Sequence, residues 1–442
     1  MLYLPTMAAA GLARRLGFLD AASLVVGVVV GAGIFLTPGL VAGYVGTPAG
    51  IVGVWLLTGL FTLTGALAFA ELGAMLPASG GQYVFLREAY GPLVAFLCGW
   101  AFLVVIWTGT LAALAVAFAS HLSQVVRLTP AGRALVAMAI IVTLTALNYR
   151  GLRLGARVQN LLTAGKLALL AVLIGAACWR GTEGPAAPSV GWSWRGLVLA
   201  VAACSWTYDG WQALSFVSGE IRRPARNLPL ALLCGLALVT VIYVVANAAF
   251  APLLRSPGVG ASEGGILAAA APLLGSAGQA VVAAAILLSI AGALNGGILA
   301  CPRIYFAQAC DGLFFARFAQ IHPRFRTPAF SLVFQGAWAS VLALSGTFET
   351  LLTYTMFGNW IFTALAVAAV IVLRRKHPEQ QRPYRTWGYP VTPFMYCALA
   401  AALVAGSVAA RPLPSLVGAG LILTGVPAYY LWLTVAHRRN RL

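Results

Sequence analysis

Two short stretches hold residue types that could grip a small charged solute. In Gly27-Val28-Val29-Val30-Gly31-Ala32-Gly33-Ile34-Phe35, small residues gather inside an apolar run that closes on Pro38-Gly39. In Trp206-Thr207-Tyr208-Asp209-Gly210-Trp211, an Asp-Gly pair, which is a turn signal, interrupts another apolar run. An acid deep in such a run is costly unless it has a task. A break before Gly33 would give the following half-helix unpaired N–H groups and about half a positive charge at its start, which suits a carboxylate. Carbonyls freed at the ends of the preceding half-helices would suit an ammonium group. α-Amino acids carry both groups, separated by a single carbon.

Each stretch also has a plainer reading. Gly27 and Gly31, four residues apart, could form a close helix-packing face, and Asp209 could be a hydrogen-bonded structural acid. Their matched positions in the two halves of the chain favour a binding site where discontinuous helices meet. Lys166, in Gly165-Lys166-Leu167-Ala168-Leu169-Leu170, is a third candidate. A lysine at mid-membrane costs roughly 2.5–3.5 kcal/mol, so it needs partners, and carbonyls freed near the first break are the expected ones. A fixed ammonium there could stand in for a coupling cation or exchange a proton. The plain alternative is a side chain that snorkels to the surface.

The elements that must carry these residues are membrane spans. The chain has 442 residues, 61% of them hydrophobic and 9% charged, with a mean hydropathy of +0.90. Soluble domains carry about 25% charged residues, so a soluble enzyme or nucleic-acid binder is excluded. The seven cysteines are scattered with no CxxC, which indicates neither a disulfide framework nor a zinc site. Twelve runs approach the roughly 20 apolar residues that a span requires: 18–45, 48–76, 92–120, 131–148, 157–179, 196–217, 228–252, 277–306, 329–345, 348–373, 390–410 and 413–436. The boundary between the ninth and tenth rests on Gly346 and Glu349. The first run is too long for a signal-peptide core, and no cleavage is expected. The two breaks lie five spans apart, which divides the chain into an inverted-repeat pair, 18–179 and 196–374, followed by two further helices at 390–437.

The net charge of +18 reports topology. With a cytoplasmic N-terminus, only six of the 28 Lys and Arg residues fall on outward segments: Arg127, Arg133, Arg180, Arg195, Arg255 and Arg411. That bias puts both termini in the cytoplasm, and the basic loops are solvated and face anionic lipid rather than nucleic acid. Asp20 is expected to cap the first helix, and Glu71 and Asp311 to close loops.

These residues resemble the amino acid–polyamine–organocation superfamily, most specifically its L-type amino acid transporter branch. The resemblance runs through Gly31-Ala32-Gly33-Ile34-Phe35, Ala70-Glu71-Leu72-Gly73, Pro77-Ala78-Ser79-Gly80-Gly81-Gln82-Tyr83 and Val158-Gln159 leading to Lys166. It continues through Tyr208-Asp209-Gly210-Trp211, Arg226-Asn227-Leu228-Pro229-Leu230, Asn295-Gly296 with Arg303, and Arg382-Pro383-Tyr384 with Trp387-Gly388-Tyr389-Pro390. It implies an all-α integral membrane protein of 12 transmembrane helices. The fold is the five-plus-five inverted-repeat (LeuT-like) one, with helices 1 and 6 broken at the midplane. It also implies sodium-independent amino acid transport, often by obligatory exchange.

Carried over residue by residue, the resemblance sets the substrate carboxylate on the backbone around Gly31, Ala32 and Gly33. The amine would meet carbonyls near Val29, Trp206 and Asp209, with Ile34, Tyr208 and Gly210 completing the set. Trp206 takes the aromatic gate position, and Lys166 that of a lysine thought to replace sodium and tie helices one, five and eight. Asn295 falls on a helix-eight motif near the site, and Thr108, Thr110 and Asn359 are candidate pocket residues. Two departures stand out. Ala32 lacks the hydroxyl of the serine that many relatives carry, and Asp209 stands where several have Gly, Ser or Ala. It could favour a cationic side chain or merely narrow the pocket. Animal members pair by disulfide with a heavy chain through a cysteine between helices three and four, but residues 120–131 contain none, so no disulfide-linked heavy chain is expected.

The resulting expectation is a sodium-independent exchanger of neutral L-amino acids in a bacterial inner membrane, with no metal or cofactor. The rivals within transport are a proton-coupled symporter and a cationic amino acid or polyamine carrier using Asp209. A non-transporting nutrient receptor would share these features. An intramembrane enzyme would need a catalytic pair, and within its spans the chain has no GxSxG, no HExxH and no histidine.

Overall fold

The structure, a computed structural model, describes residues 12–180, 193–254, 274–275, 277–345 and 348–439. Among these residues the chain is helical throughout, apart from turns and one isolated bridge between Leu16 and Ile221. The first run is two helices, α1 (Phe18–Val29) and α2 (Gly33–Val45), bent by 47° at the residues between them. Next come α3 (Pro48–Met75), the short α4 (Gln82–Tyr90) and α5 (Pro92–Ala101), which runs through a π turn at Phe102–Ile106 into α6 (Trp107–Val125). Then follow α7 (Pro130–Tyr149), α8 (Leu152–Arg180), α9 (Trp194–Thr207), α10 (Ala213–Phe216) and α11 (Pro224–Leu254). The remainder is α12 (Gly278–Ala300), α13 (Pro302–Cys310), α14 (Ala329–Ser345), α15 (Phe348–Lys376), α16 (Val391–Ala410), α17 (Pro412–Leu423) and α18 (Gly425–Arg439).

Local chemistry sets several starts. Thr47 and Thr129 cap α3 and α7 by accepting from Gly50 and Gly132 N–H at 3.1 Å each, with proline next in sequence. A proline at the first helical position lacks only an N–H that would be unpaired there. Asp20 is not the cap: it sits one turn in, and its Oδ2 reaches back to accept from Gly17 N–H at 2.9 Å. A carboxylate in that first turn still meets the positive end of the helix.

All twelve expected runs contain helix, and nine helices among the described residues are long and apolar enough to cross a membrane alone. The bent α1–α2 pair makes a tenth. The ninth run, α14, is 17 residues long. The sixth falls short because α9 stops after 14 residues, at the Asp-Gly turn. Gly346 and Arg255 lie outside the described residues. The interior is built on α12 and its extension: 72% of its most apolar stretch is buried, against 22% for α7 and α16.

Carboxylates at the arginine-rich end lock the elements together. Glu71, in α3, accepts from Arg374 Nε and Nη2 at 2.9 and 2.6 Å and from Thr386 N–H at 2.7 Å. Arg303 donates to both oxygens of Glu220 at 2.7 and 3.2 Å, with both side chains buried. Arg87 pairs with Asp311 and Glu88, and Tyr83 adds a 2.9 Å bond to Asp311. Breaking one partner of a buried pair such as Arg303–Glu220 costs about 3–5 kcal/mol; Glu71 ties α3 to Arg374 and to the segment at Thr386, and Asp311 ties the end of α13 to α4.

Candidate functional site

The first break begins where Val30 leaves the helical conformation, at φ −74° and ψ 77°. Gly31 N–H, which would continue α1 by donating to Gly27, turns back to Val29 O at 2.8 Å. That strands the Gly27 carbonyl. The Val30 carbonyl is stranded too, because Ile34 N–H, in the first turn of α2, makes no backbone bond. Lys166 Nζ, from α8, supplies both missing donors at 2.6 Å each. Its side chain is completely buried, so it does not snorkel. Below it on α8, Thr163 Oγ1 donates to Ser23 O at 3.3 Å and Asn160 Nδ2 to Asp20 Oδ1 at 2.9 Å. A polar seam at helical spacing therefore ties α8 to α1.

The start of α2 offers N–H groups of Ala32, Gly33 and Ile34 with no carbonyl partner among the described residues. They sit at the positive end of a 13-residue helix. The expected donor set of Gly31 to Gly33 is shifted by one residue, because Gly31 is spent on the turn.

The second break follows Thr207. Gly210 has φ +102°, and a Cβ there would run into Val28. A residue free of Cβ is thus required twice over. Gln212 holds this turn: its Oε1 accepts from Gly210 N–H at 3.1 Å, and its Nε2 donates to Asp209 Oδ1 at 3.1 Å. Asn359 Nδ2, from α15, reaches the same oxygen at 2.8 Å. Tyr243, from α11, joins the two breaks. Its hydroxyl lies 2.9 Å from Val29 O and 3.2 Å from Thr207 O, the last residues of α1 and α9.

Between the breaks lies a cavity of about 60 Å³. Val29, Gly31, Ala32 and Gly33 form one wall, and Trp206, Asp209 and Gly210 another. Thr110 and Trp107 on α6, Ala293 on α12 and Met356 on α15 close it. Trp107, Ala293 and Met356 give no sequence signal, since each is an ordinary apolar residue of a span. The indole N–H of Trp107 has no acceptor among the described residues. The π turn before it is stabilised from outside: Thr108 Oγ1 donates to Leu103 O at 2.7 Å, Tyr305 OH to Phe102 O at 3.1 Å and Trp338 Nε1 to Val104 O at 3.0 Å.

Other sequence candidates lie elsewhere. Tyr208 turns away from the cavity, with its hydroxyl donating to Trp55 O at 2.9 Å. Thr108 is buried on its carbonyl. The Ile34 side chain is fully buried off the wall. Asn295 belongs to a separate network, accepting from Asn148 at 2.8 Å and donating to Gln159 Oε1 at 2.7 Å. Asn359 reaches the site through Asp209, and Lys166 stands behind the break.

Tyr243→Phe tests the junction. It removes the O–H shared between two buried carbonyls: Val29 O keeps its bond from Gly31 N–H, and Thr207 O loses its donor, at a cost of about 1–3 kcal/mol for a buried acceptor left unpaired. The expected result is a fall of about tenfold or more in solute flux, since 1.36 kcal/mol is a factor of ten. The purified variant should remain monodisperse in size exclusion, and unchanged flux would remove the hydroxyl from the mechanism.

Residues 16–435 match the amino acid permease family. The chain is 33% identical over 429 residues to the serine/threonine exchanger SteT of Bacillus subtilis, covering 95% of this chain and 97% of that one. It is 31% identical over 444 residues to the large neutral amino acids transporter small subunit 2 of Homo sapiens, covering 97% of this chain and 82% of that one. It is 30% identical over 434 residues to the b(0,+)-type amino acid transporter 1 of Homo sapiens, covering 95% and 88%.

Proposed function

The chain belongs to the amino acid permease family, and from that membership we propose that it is a sodium-independent exchanger of neutral L-amino acids working by alternating access. It is an integral-membrane amino acid transporter and not an enzyme. The observation that carries the reading is the pairing of open N–H groups at Ala32, Gly33 and Ile34 with the carbonyl ends of α1 and α9 across one small cavity. The substrate carboxylate would sit on those N–H groups. Its ammonium would face the carbonyl ends of α1 and α9, near Val29 and Trp206. Trp206, half-buried on the cavity wall, would shut the site from outside. Lys166 would act as a built-in cation holding the first break open.

The two halves, 18–179 and 196–374, would be inverted repeats that rock about this site, with residues 390–437 outside the repeat. The arginine bias supports cytoplasmic termini, and the membrane would be a bacterial inner one. The absence of cysteine between residues 120 and 131 supports a transporter that works without a disulfide-linked partner.

The test is uptake of labelled neutral amino acids into sodium-free proteoliposomes at equal pH on both sides, with and without unlabelled amino acid inside. Uptake that requires a loaded lumen is the expected result. Net uptake into empty vesicles, rising when the outside is acidified, would overturn exchange in favour of proton symport.

A further inference from the structure

The relatives carry different substrates in their names, so side-chain selectivity has to come from this chain's own cavity wall. Among the described residues, the one charged side chain on that wall is Asp209. Its environment is unusual for a half-buried carboxylate. No arginine or lysine pairs with it among the described residues. Two amide side chains from different elements instead converge on the same oxygen, Oδ1: Gln212 Nε2 at 3.1 Å and Asn359 Nδ2 at 2.8 Å. Gln212 Nε2 also lies 3.4 Å from Asn359 Oδ1, so the two amides brace each other.

Gln212 is the keystone of this arrangement. It is fully buried and is not part of the cavity wall. Its carbonyl end accepts from Gly210 N–H at 3.1 Å, and its amino end serves Asp209. Only one orientation of the amide does both, because a flipped amide would set N–H against N–H and oxygen against oxygen. The side chain thus fixes the turn and the carboxylate together, and leaves Oδ2 outside the amide clamp.

We infer that Gln212 is a positioning residue that makes the site selective for small neutral amino acids whose side chain donates a hydrogen bond. The inference rests on the exchange reading above. A hydroxyl-bearing substrate can donate to the oxygen the clamp leaves uncommitted. An apolar substrate of the same shape strands that carboxylate, and a site built to bond a substrate hydroxyl discriminates strongly against the analogue lacking it. The small cavity sets the size limit, and the clamp sets the chemistry.

The experiment compares threonine with valine, which differ by hydroxyl against methyl at one branch. Exchange of each is measured in proteoliposomes loaded with unlabelled threonine, giving KM and kcat separately. The wild-type chain is expected to favour threonine by roughly tenfold or more in kcat/KM. Gln212→Leu should bring that ratio to within about threefold, chiefly by raising KM for threonine, whereas a merely structural role would weaken both substrates alike. In an Asp209→Ala background, Gln212→Leu should shift the ratio no further. If Gln212→Leu cannot be purified folded, Asn359→Leu removes the other amide and should flatten the ratio in the same way. A wild-type chain that takes valine as readily as threonine overturns the selectivity inference while leaving exchange standing. A ratio that survives loss of either amide overturns the positioning role. Absence of exchange with every neutral amino acid overturns both readings.

Discussion

Replacing Lys166 with alanine is expected to cut exchange by at least tenfold while substrate binding remains measurable. The argument starts from two stranded carbonyls. Gly27 O and Val30 O lose their helical donors because Gly31 N–H turns back and Ile34 N–H stays open. Lys166 replaces both at 2.6 Å from a fully buried position. A hydrogen bond to a charged group is worth about 1.5–3 kcal/mol, and a buried acceptor left unpaired costs about 1–3 kcal/mol. Even one lost bond of that size exceeds the 1.36 kcal/mol that corresponds to a factor of ten. The break would be expected to close as Ile34 N–H returned to Val30 O, removing a donor from the proposed carboxylate site. Substrate-induced thermal stabilisation should persist in weakened form, because Ala32 and Gly33 keep their N–H groups. Lys166→Met separates charge from bulk and should behave like the alanine variant. Full exchange in either variant would take the ammonium out of the mechanism.

Gly210→Ala is expected to be more damaging still, reducing exchange by about a hundredfold or beyond detection. Two costs coincide at this position. At φ +102° an L-residue is strained, by about 1–3 kcal/mol. The added Cβ would also drive into Val28, on the opposite wall of the same cavity. Relief requires the turn to move, and with it the Gln212 bond to Gly210 N–H and the position of Asp209. Gly43→Ala is the matched control: it lies in α2, where a Cβ meets nothing within 4 Å. It should exchange within about twofold of wild type, since surface substitutions of this kind stay within about 0.5 kcal/mol. Normal exchange by Gly210→Ala would mean that the turn is not part of the working site.

Some of this site was legible in the sequence because its signals are local. Gly31-Ala32-Gly33 and Asp209-Gly210 interrupt apolar runs, and a lysine within a span at position 166 calls for partners. Both breaks and the Lys166 contact with the first of them follow from those signals. The rest depends on elements far apart in the chain. Tyr243 bridges α1 and α9 from α11, and an aromatic residue in an apolar run carries no sign of that task. The π turn at Phe102–Ile106 contains neither Gly nor Pro, and side chains 200 or more residues away stabilise it. The resemblance implies Tyr208 in the site, yet adjacent residues in a turn diverge, and it packs against Trp55 instead. Asn295 carries a motif whose contacts are to α7 and α8 rather than to the cavity. The shift of the donor set from Gly31 to Ile34 reflects a backbone bond that no residue type announces.

If the ammonium of Lys166 stands in for a carried cation, as proposed, it would have an energetic consequence for the cell. A cation taken from solution and carried across with each substrate would travel through the electric field of the membrane. Each elementary charge would gain or lose about 2.3 kcal/mol per 100 mV. A cation tethered to α8 makes that journey once, when the protein is inserted, and thereafter stays at its post. Voltage would then perform no work on the proposed cycle, which trades one neutral zwitterion for another. The direction of flux would be left to the ratios of the solutes themselves, so a carrier of this kind would reshape the composition of the solute pool without enlarging it.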